Sequence, residues 1–414
     1  MTTITTISTA SLGINWQLHD RTGWGVYGIN LALQLLNRKR WQPVLLQPPG
    51  RLPENPLLLK KLAPLQNAYQ QLANLLGKTA GYRPRSDNLI ILHGLGNNFI
   101  SLETLLQSRH NIGIIFFEDT SFSNQALNRA QRYPLIITGS SWNEKILRNL
   151  NLPCKIATVI QGIDPTIFHP APKAGLFADR FVIFSGGKLE YRKGQDIVIA
   201  AFKIFREKHP EALLLAAWHN SWPESMREIG TRGHVKGTPA TTGNQAENLG
   251  NWLIDNGLPP ESFIVIPETP NLHMAPIIRE ADAALFPNRA EGGTNLVAME
   301  TMACGVPTIL AANTGQLDFA DPEICWPLTR QGEVLPTPTF PGVTEWGESD
   351  PEEIVAHLES IYSDSHSARQ KGRRAAARLA SFSWADQISK LLAELENFFA
   401  GAKPAGQTAV ENAP

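Results

Sequence analysis

The sequence predicts an α/β chain built from two doubly wound parallel-sheet domains. Three observations predict it. Short aliphatic or β-branched runs recur along the 414 residues in two sets of five or six. The runs are continuous rather than alternating, and helical patterns separate them, as in parallel sheets covered on both faces. A proline-rich stretch, Ile163-Asp-Pro-Thr-Ile-Phe-His-Pro-Ala-Pro-Lys-Ala174, divides the two sets. The expected boundaries are residues 1–170 for the first domain and 171–380 for the second. A helix over 381–400 is expected to return to the first domain, and 401–414 is small, polar and expected to be disordered.

The first set of strands reads Leu12–Trp16, Pro43–Leu46, Leu89–Leu92, Ile112–Phe117, Leu135–Thr138 and Ile156–Ile160. The second reads Phe181–Phe184, Leu213–Ala217, Phe263–Ile266, Ala283–Phe286 and Thr308–Leu310. In such domains the binding crevice lies beyond the carboxyl ends of the strands. After the first strand, Asp20 to Gly28 reads DRTGWGVYG, followed by a helix from about Ile29 to Asn37. Gly23 and Gly25 leave backbone N–H groups open to an anion. The G-x-G-x-x-G spacing is a weak signal alone, and an acid about 20 residues on is missing. Each glycine reads equally as a tight turn.

Leu58, Leu62, Leu65, Tyr69, Leu72 and Leu76 form an amphipathic helical stripe, with Lys60, Lys61 and Lys78 near it. Arg38-Lys39-Arg40 lies close in sequence. A core-facing stripe is the expectation, and a peripheral membrane face is the second reading. His93 follows the third strand and Glu118 the fourth, both at cleft positions. The bland reading has His93 fixing a turn and Glu118 capping a helix near Ser121.

The second domain opens with Phe181 to Gly194, FVIFSGGKLEYRKG. A strand runs into Gly186-Gly187, then two cations five apart, then a helix from about Gln195. Lys188 and Lys193 can close on one diphosphate, where opposite charges interact far more strongly than in water. Arg192 is either a third such cation or a solvated one. Trp218-His219-Asn220 and Pro267-Glu268-Thr269 follow two further strands. The stretch Phe286 to Leu310, FPNRAEGGTNLVAMETMACGVPTIL, reads as strand end, loop, helix, loop and strand. Gly292 and Gly293 let loop amides reach a ligand, and the helix start at Leu296 adds its own N–H groups. Glu291 and Glu300 offer acceptors for sugar or ribose hydroxyls. Gly305 and Pro307 end the helix.

This last stretch resembles the E-x7-E region of retaining group 1 glycosyltransferases, family 4 by sequence, with the GT-B fold. The match is Glu291-Gly292, Glu300 and Met302 to Pro307. One departure is that Glu291 and Glu300 are separated by eight residues, not seven, the extra one falling in Gly293-Thr294-Asn295. The Lys188/Lys193 pair is similar to the family's arginine and lysine, with lysine where arginine is usual; the bidentate fork is lost. Of the family's histidine–aspartate pair after the fourth strand the histidine is absent: Phe117 or Glu118 stands in its place, and Asp119 corresponds to the aspartate. The resemblance covers about Gly23 to Leu395 and is looser in the first domain.

The resemblance implies two Rossmann-like domains facing a central cleft, and a retaining transfer of sugar from a nucleotide-diphosphate sugar. That co-substrate would meet Gly23, Gly25, Gly187, Lys188, Lys193, Gly292, Gly293, Thr294, Asn295, Leu296 and Glu300, with Glu268 near the base. Glu291, Lys188, Lys193, Glu118 and His93 are the catalytic candidates. The acceptor is a glycan, a lipid-linked sugar or a small molecule. No cofactor or metal is expected, since no Asp-x-Asp falls at a strand end of the donor domain. Two alternatives stand: a sugar-nucleotide-binding protein without catalysis, or an epimerase or phosphorylase on the same fold.

Composition sets the remaining bounds. Net charge is −1, so no global field favours nucleic acid. Cys154, Cys304 and Cys325 are isolated, which argues against a disulfide framework or zinc site and fits a reducing cytoplasm. The start lacks a signal peptide pattern, and no apolar run reaches the about 18 residues that span a bilayer. Localisation is expected to be cytoplasmic, with peripheral contact at the inner membrane face as the second reading. The basic run Arg369, Lys371, Arg373, Arg374 and Arg378 is expected to be a solvated helix face.

Overall fold

A computed structural model describes residues 10–38, 40–77, 83–220 and 222–401. Lys39, Lys78 and the tail beyond Gly401 lie outside the described residues. The first six strands are β1 (Ala10–Asn15), β2 (Trp41–Leu45), β3 (Leu89–Leu95), β4 (His110–Ile115), β5 (Leu135–Thr138) and β6 (Lys155–Thr158). They form one parallel sheet in the order β2-β1-β3-β4-β5-β6. The next six are β7 (Phe181–Lys188), β8 (Ala212–His219), β9 (Phe263–Val265), β10 (Ala283–Phe286), β11 (Thr308–Ala311) and β12 (Trp326–Leu328). They form a second parallel sheet, β12-β11-β10-β7-β8-β9. A short antiparallel ribbon joins β13 (Gln331–Gly332) to β14 (Glu348–Ser349).

The helices are α1 (Gly23–Leu36), α2 (Pro56–Leu76), α3 (Asn124–Ala130), α4 (Ser141–Asn149), α5 (Gln195–Lys208) and α6 (Gln245–Asp255). They continue with α7 (Met274–Arg279), α8 (Leu296–Ala303), α9 (Pro351–Ser363), α10 (Ser365–Leu379) and α11 (Trp384–Gly401). The alternation of strand and helix buries both faces of each sheet, because a continuous aliphatic strand needs cover on each side.

Three differences from the sequence reading matter for the site. α1 starts at Gly23, not near Ile29, because Thr22 caps it by accepting from the Gly25 amide at 3.2 Å. Gly23 and Gly25 therefore belong to the first helical turn. β7 continues through Gly186-Gly187 to Lys188, held by parallel pairing with β8 as far as His219. The edge strand β12 was missed; it is three residues long and carries Pro327, so it has neither the length nor the pattern of a strand.

The stripe of α2 faces inward: Leu62 and Leu65 are buried in the first core with Leu12, Ile14 and Leu31. The same core takes Trp384, Ile388, Leu391 and Leu395 of α11. The last helix thus packs on the first domain. Fully burying each such leucine or isoleucine is worth about 1.5–3 kcal/mol. Arg369, Arg373, Arg374 and Arg378 of α10 are exposed, while Lys371 is half-buried over the Trp326 ring, 4.2 Å from its centroid.

The two domains share a further core. Phe99, Phe117 and Trp142 of the first domain pack with Tyr191, Ala290, Phe340 and Trp346 of the second. Phe340 and Trp346 belong to the segment 333–347 between β13 and β14, which reaches over onto the first domain. There Gly342 N–H donates to Asp119 at 2.8 Å, Thr120 N–H donates to the Gly342 carbonyl at 3.0 Å, and the Trp346 indole donates to the Glu118 carbonyl at 3.1 Å. Asp119, matched in sequence to the family's aspartate, is occupied in this seam.

Candidate active site

The site forms where the strand ends of the two sheets face each other. From the second domain come the turn after β7 and the loop between β10 and α8. Glu291 is buried, and its carboxylate accepts from Lys193 Nζ, from Asn288 Nδ2 and from Arg192 Nη1, the last at 3.1 Å. Its amide donates to Thr314 Oγ1 at 2.9 Å. Glu190 is buried too, 2.8 Å from Arg192 Nε and 3.2 Å from Lys188 Nζ. From the first domain Glu118 reaches within 3.3 Å of Arg192 Nη1. Three carboxylates and three cations therefore make one continuous network.

Burial pushes the Glu118 carboxyl above its usual range, with Arg192 opposing and Glu190 and Glu291 adding to the rise. Burial would also raise Glu190, but Arg192, Lys188 and Lys193 outweigh it and hold that carboxyl low. Burial lowers the Lys193 ammonium despite the Glu291 carboxylate beside it. Charges held this way are preorganised to meet an anion.

The loop before α8 is clasped between the domains. Gly292 lies so close to the Phe117 backbone that any Cβ would collide with it. Ser140 Oγ donates to the Gly292 carbonyl at 2.7 Å, and Gly293 packs on the Phe116 ring. Thr294 is buried on Met299, and Asn295 caps α8 from a left-handed conformation, φ 63°. An asparagine suits that conformation better than most residues. The Asn295 Nδ2 is buried without a hydrogen-bond partner. From that cap α8 presents Glu300 one turn on.

Glu300 is buried, with Asn271 Nδ2 donating to it at 2.6 Å. Burial pushes its carboxyl up to about 8, against that hydrogen bond. Beside β8, Leu189, Trp218, His219, Asn220, Met226 and Leu249 line a pocket. Burial lowers the His219 imidazole. Glu268, expected near the base, is not part of that pocket's lining; it pairs with Arg21 of the first domain at 2.9 Å.

His93 is not brought to the network. It does not follow β3 but lies inside it, since β3 continues to Leu95 alongside β4. Its Nδ1 lies 3.0 Å from Ser101 Oγ and 3.2 Å from Asn15 Nδ2, and its Nε2 lies 2.9 Å from Asn111 Oδ1. Both ring nitrogens are engaged, so neither is offered to a ligand. Glu118 does not cap a helix at Ser121; α3 starts at Asn124 with Ser123 as its cap. Gly25 is a tight-approach glycine, since a Cβ there would meet the His19 backbone, whereas Gly23 faces open space.

Sequence reading passed over Arg289. Its guanidinium is fully buried, bidentate to Asp196 at 2.8 and 2.6 Å, 2.5 Å from Glu348 and stacked on Tyr191. Those carboxylates outweigh burial and keep it firmly charged. Through the backbone bonds from Arg289 and Ala290 to the Arg192 carbonyl, it fixes the loop that carries Glu291. Its partner Glu348 lies 59 residues away, which no local pattern reveals. Among the described residues no cluster of three or more histidine, cysteine, aspartate or glutamate side chains is arranged to hold a metal.

Two parallel six-stranded sheets facing across such a cleft define the GT-B class. Sucrose-phosphate synthase from Thermosynechococcus elongatus is similar over 95% of this chain and 100% of its own, with TM-score 0.60 and 16% identity. Anabaena Alr3699/HepE in complex with UDP and glucose is similar over 94% and 99%, with TM-score 0.57 and 15% identity. The chain belongs to the glycosyl transferases group 1 family, whose model matches residues 171–378, half of its length. A D-inositol 3-phosphate glycosyltransferase of Segniliparus rotundus is 29% identical over 264 residues, 62% of this chain and 50% of that protein. That of Mycobacterium tuberculosis is 27% identical over 247 residues, 58% and 43%. The chain spans about half the length of the curated relatives it matches.

Proposed function

We propose that the protein is a retaining glycosyltransferase that takes a sugar from a nucleotide-diphosphate sugar. The observation that carries this is the joining of Lys188, Lys193 and Glu291 in one buried network, with Glu300 on α8 just beyond. The two lysines stabilise charge on the departing diphosphate. Glu300 accepts from the ribose hydroxyls, and Glu291 faces the sugar. Glu118 takes the place of the family's histidine: it brings negative charge to a carbon that becomes oxocarbenium-like. The open face of Gly23 and the amides of Gly292 and Gly293 serve the phosphates. The acceptor is a glycan, a lipid-linked sugar or a small molecule.

UDP is the first nucleotide to test, because a structural neighbour holds UDP and glucose. Calorimetric titration of UDP, GDP, ADP and their glucose conjugates decides whether a donor binds. Hydrolysis or transfer of the bound sugar then separates a transferase from a binding protein. Activity is expected to persist in excess EDTA; loss restored by magnesium would overturn the metal-independent reading. No helix among the described residues is long and apolar enough to cross a membrane.

A further inference from the structure

A single nitrogen, Arg192 Nη1, serves carboxylates from both domains. It lies 3.3 Å from Glu118 Oε1 of the first and 3.1 Å from Glu291 Oε2 of the second. Arg192 Nε holds Glu190 at 2.8 Å on the other side of the guanidinium. The Arg192 side chain is only 12% exposed, so it is not the solvated cation that a basic loop would suggest. It stands in the short turn between Lys188 and Lys193, and its carbonyl accepts from both Arg289 and Ala290.

Consider the closed cleft without this residue. Glu118, Glu190 and Glu291 would face one another with two lysines left to compensate. Lys188 reaches Glu190 and Lys193 reaches Glu291, so Glu118 would keep only the more distant field of Lys193 and lose its ion-pair contact with Arg192. Like charges in a buried site repel strongly or force one carboxyl to take a proton. A lysine at 192 would keep the charge, but an ammonium lacks the planar fork that addresses several carboxylates at once. A guanidinium at this point therefore meets carboxylates of both domains at once.

We propose that Arg192 is a positioning residue that ties the first domain to the catalytic loop, binding Glu118 and Glu291 on one guanidinium. This rests on reading Glu291 and Glu118 as the carboxylates that face the transferred sugar. Arg192 does not hold the diphosphate; that task stays with Lys188 and Lys193. Its place between them in sequence makes the distinction measurable.

The test compares wild type, Arg192→Ala, Arg192→Lys and the double variant Arg192→Ala/Glu118→Gln. Backbone hydrogen exchange is followed in segments 114–122 and 286–296, and UDP affinity by calorimetry. Both Arg192 variants are expected to speed exchange in the two segments together, by about tenfold. The double variant is expected to slow exchange again in 114–122, because removing the Glu118 charge removes the repulsion. UDP affinity is expected to stay within about threefold. Faster exchange in 286–296 alone would overturn the coupling between domains. So would an additive worsening in the double variant. A tenfold or greater loss of UDP affinity would instead make Arg192 a phosphate ligand and overturn the proposal. With UDP-glucose hydrolysis as readout, Arg192→Lys is expected to lower kcat by about 100-fold with KM nearly unchanged. A change in KM alone would overturn the proposal. If none of UDP, GDP and ADP binds the wild type, the functional reading fails, while the exchange result still judges the coupling.

Discussion

Asn271 joins Glu300 to the first domain. Its side chain donates to Glu300 Oε1 at 2.6 Å while its backbone N–H donates to the Asp20 carbonyl at 2.8 Å. The carboxyl assigned to ribose thus sits at a domain seam, dry and with one neutral partner. Burial holds it at about 8, so it stays protonated in the folded chain across a range where the unfolded chain ionises it.

The consequence for stability has a definite sign. Between about pH 4.5 and 8 the folded state binds one proton more than the unfolded state at Glu300. Stability therefore falls as pH rises through that window. Glu300→Gln removes this contribution. The variant is expected to be more stable than wild type at pH 8, with the difference vanishing near pH 4. Urea unfolding at both pH values checks this. The same variant is expected to lose affinity for both uridine and UDP, since both carry the ribose.

Lys188→Ala and Lys193→Ala are expected to weaken UDP binding by about tenfold or more, as for loss of a charge-assisted hydrogen bond. Uridine affinity is expected to hold within about threefold. Equal losses on both ligands would contradict the assignment of these lysines to phosphate.

Arg289→Met leaves Asp196 and Glu348 buried without their shared cation. A loss of about 3–5 kcal/mol is expected, as for breaking a buried ion pair from one side. Burial alone would raise Glu348, yet His234, Arg289 and Arg232 hold its carboxyl at about 2. Its contribution in wild type is therefore present above about pH 4.5 and lost as pH falls towards 2. Denaturation midpoints at pH 7 and pH 3 measure both effects; a change below 1 kcal/mol at pH 7 would remove Arg289 as the pin of the loop.

His93→Ala is expected to lower stability by about 1–3 kcal/mol, the cost of unpaired buried polar groups. It leaves Asn15, Ser101 and Asn111 without their common partner. Donor hydrolysis is expected to keep its wild-type kcat at a temperature where the variant is folded. A large drop in kcat would return His93 to the catalytic set.

Much of this protein was readable from local pattern. Continuous apolar runs mark eleven of the twelve strands of the two sheets, because burial on both faces leaves an unbroken aliphatic signature. Gly305, with φ +80°, and Pro307 mark the end of α8, because helix termination depends on residues in direct succession. Glu291, Glu300, Lys188 and Lys193 were picked out for the same reason: each stands in a short motif whose spacing is set within one strand–loop–helix unit. The start of α1 is not legible locally, because Gly23 and Gly25 carry a turn signal that masks the Thr22 cap.

Only the tertiary structure decided which charges meet. Glu118 and Arg192 come from different domains, Arg289 finds Glu348 through the ribbon, and Asn271 reaches Glu300 from the loop after β9. None of these pairings has a local period, since each forms when packing has already brought distant strand ends together. His93 and Glu118 look alike in sequence, each near the end of a strand. β3 extends three residues beyond its aliphatic run and locks His93 into a polar network, while the chain leaves β4 at Ile115 and frees Glu118 to cross the cleft. Sequence marked candidate residues by type and spacing; the ladder of backbone hydrogen bonds, which runs on regardless of side-chain type, decided which of them reach the network.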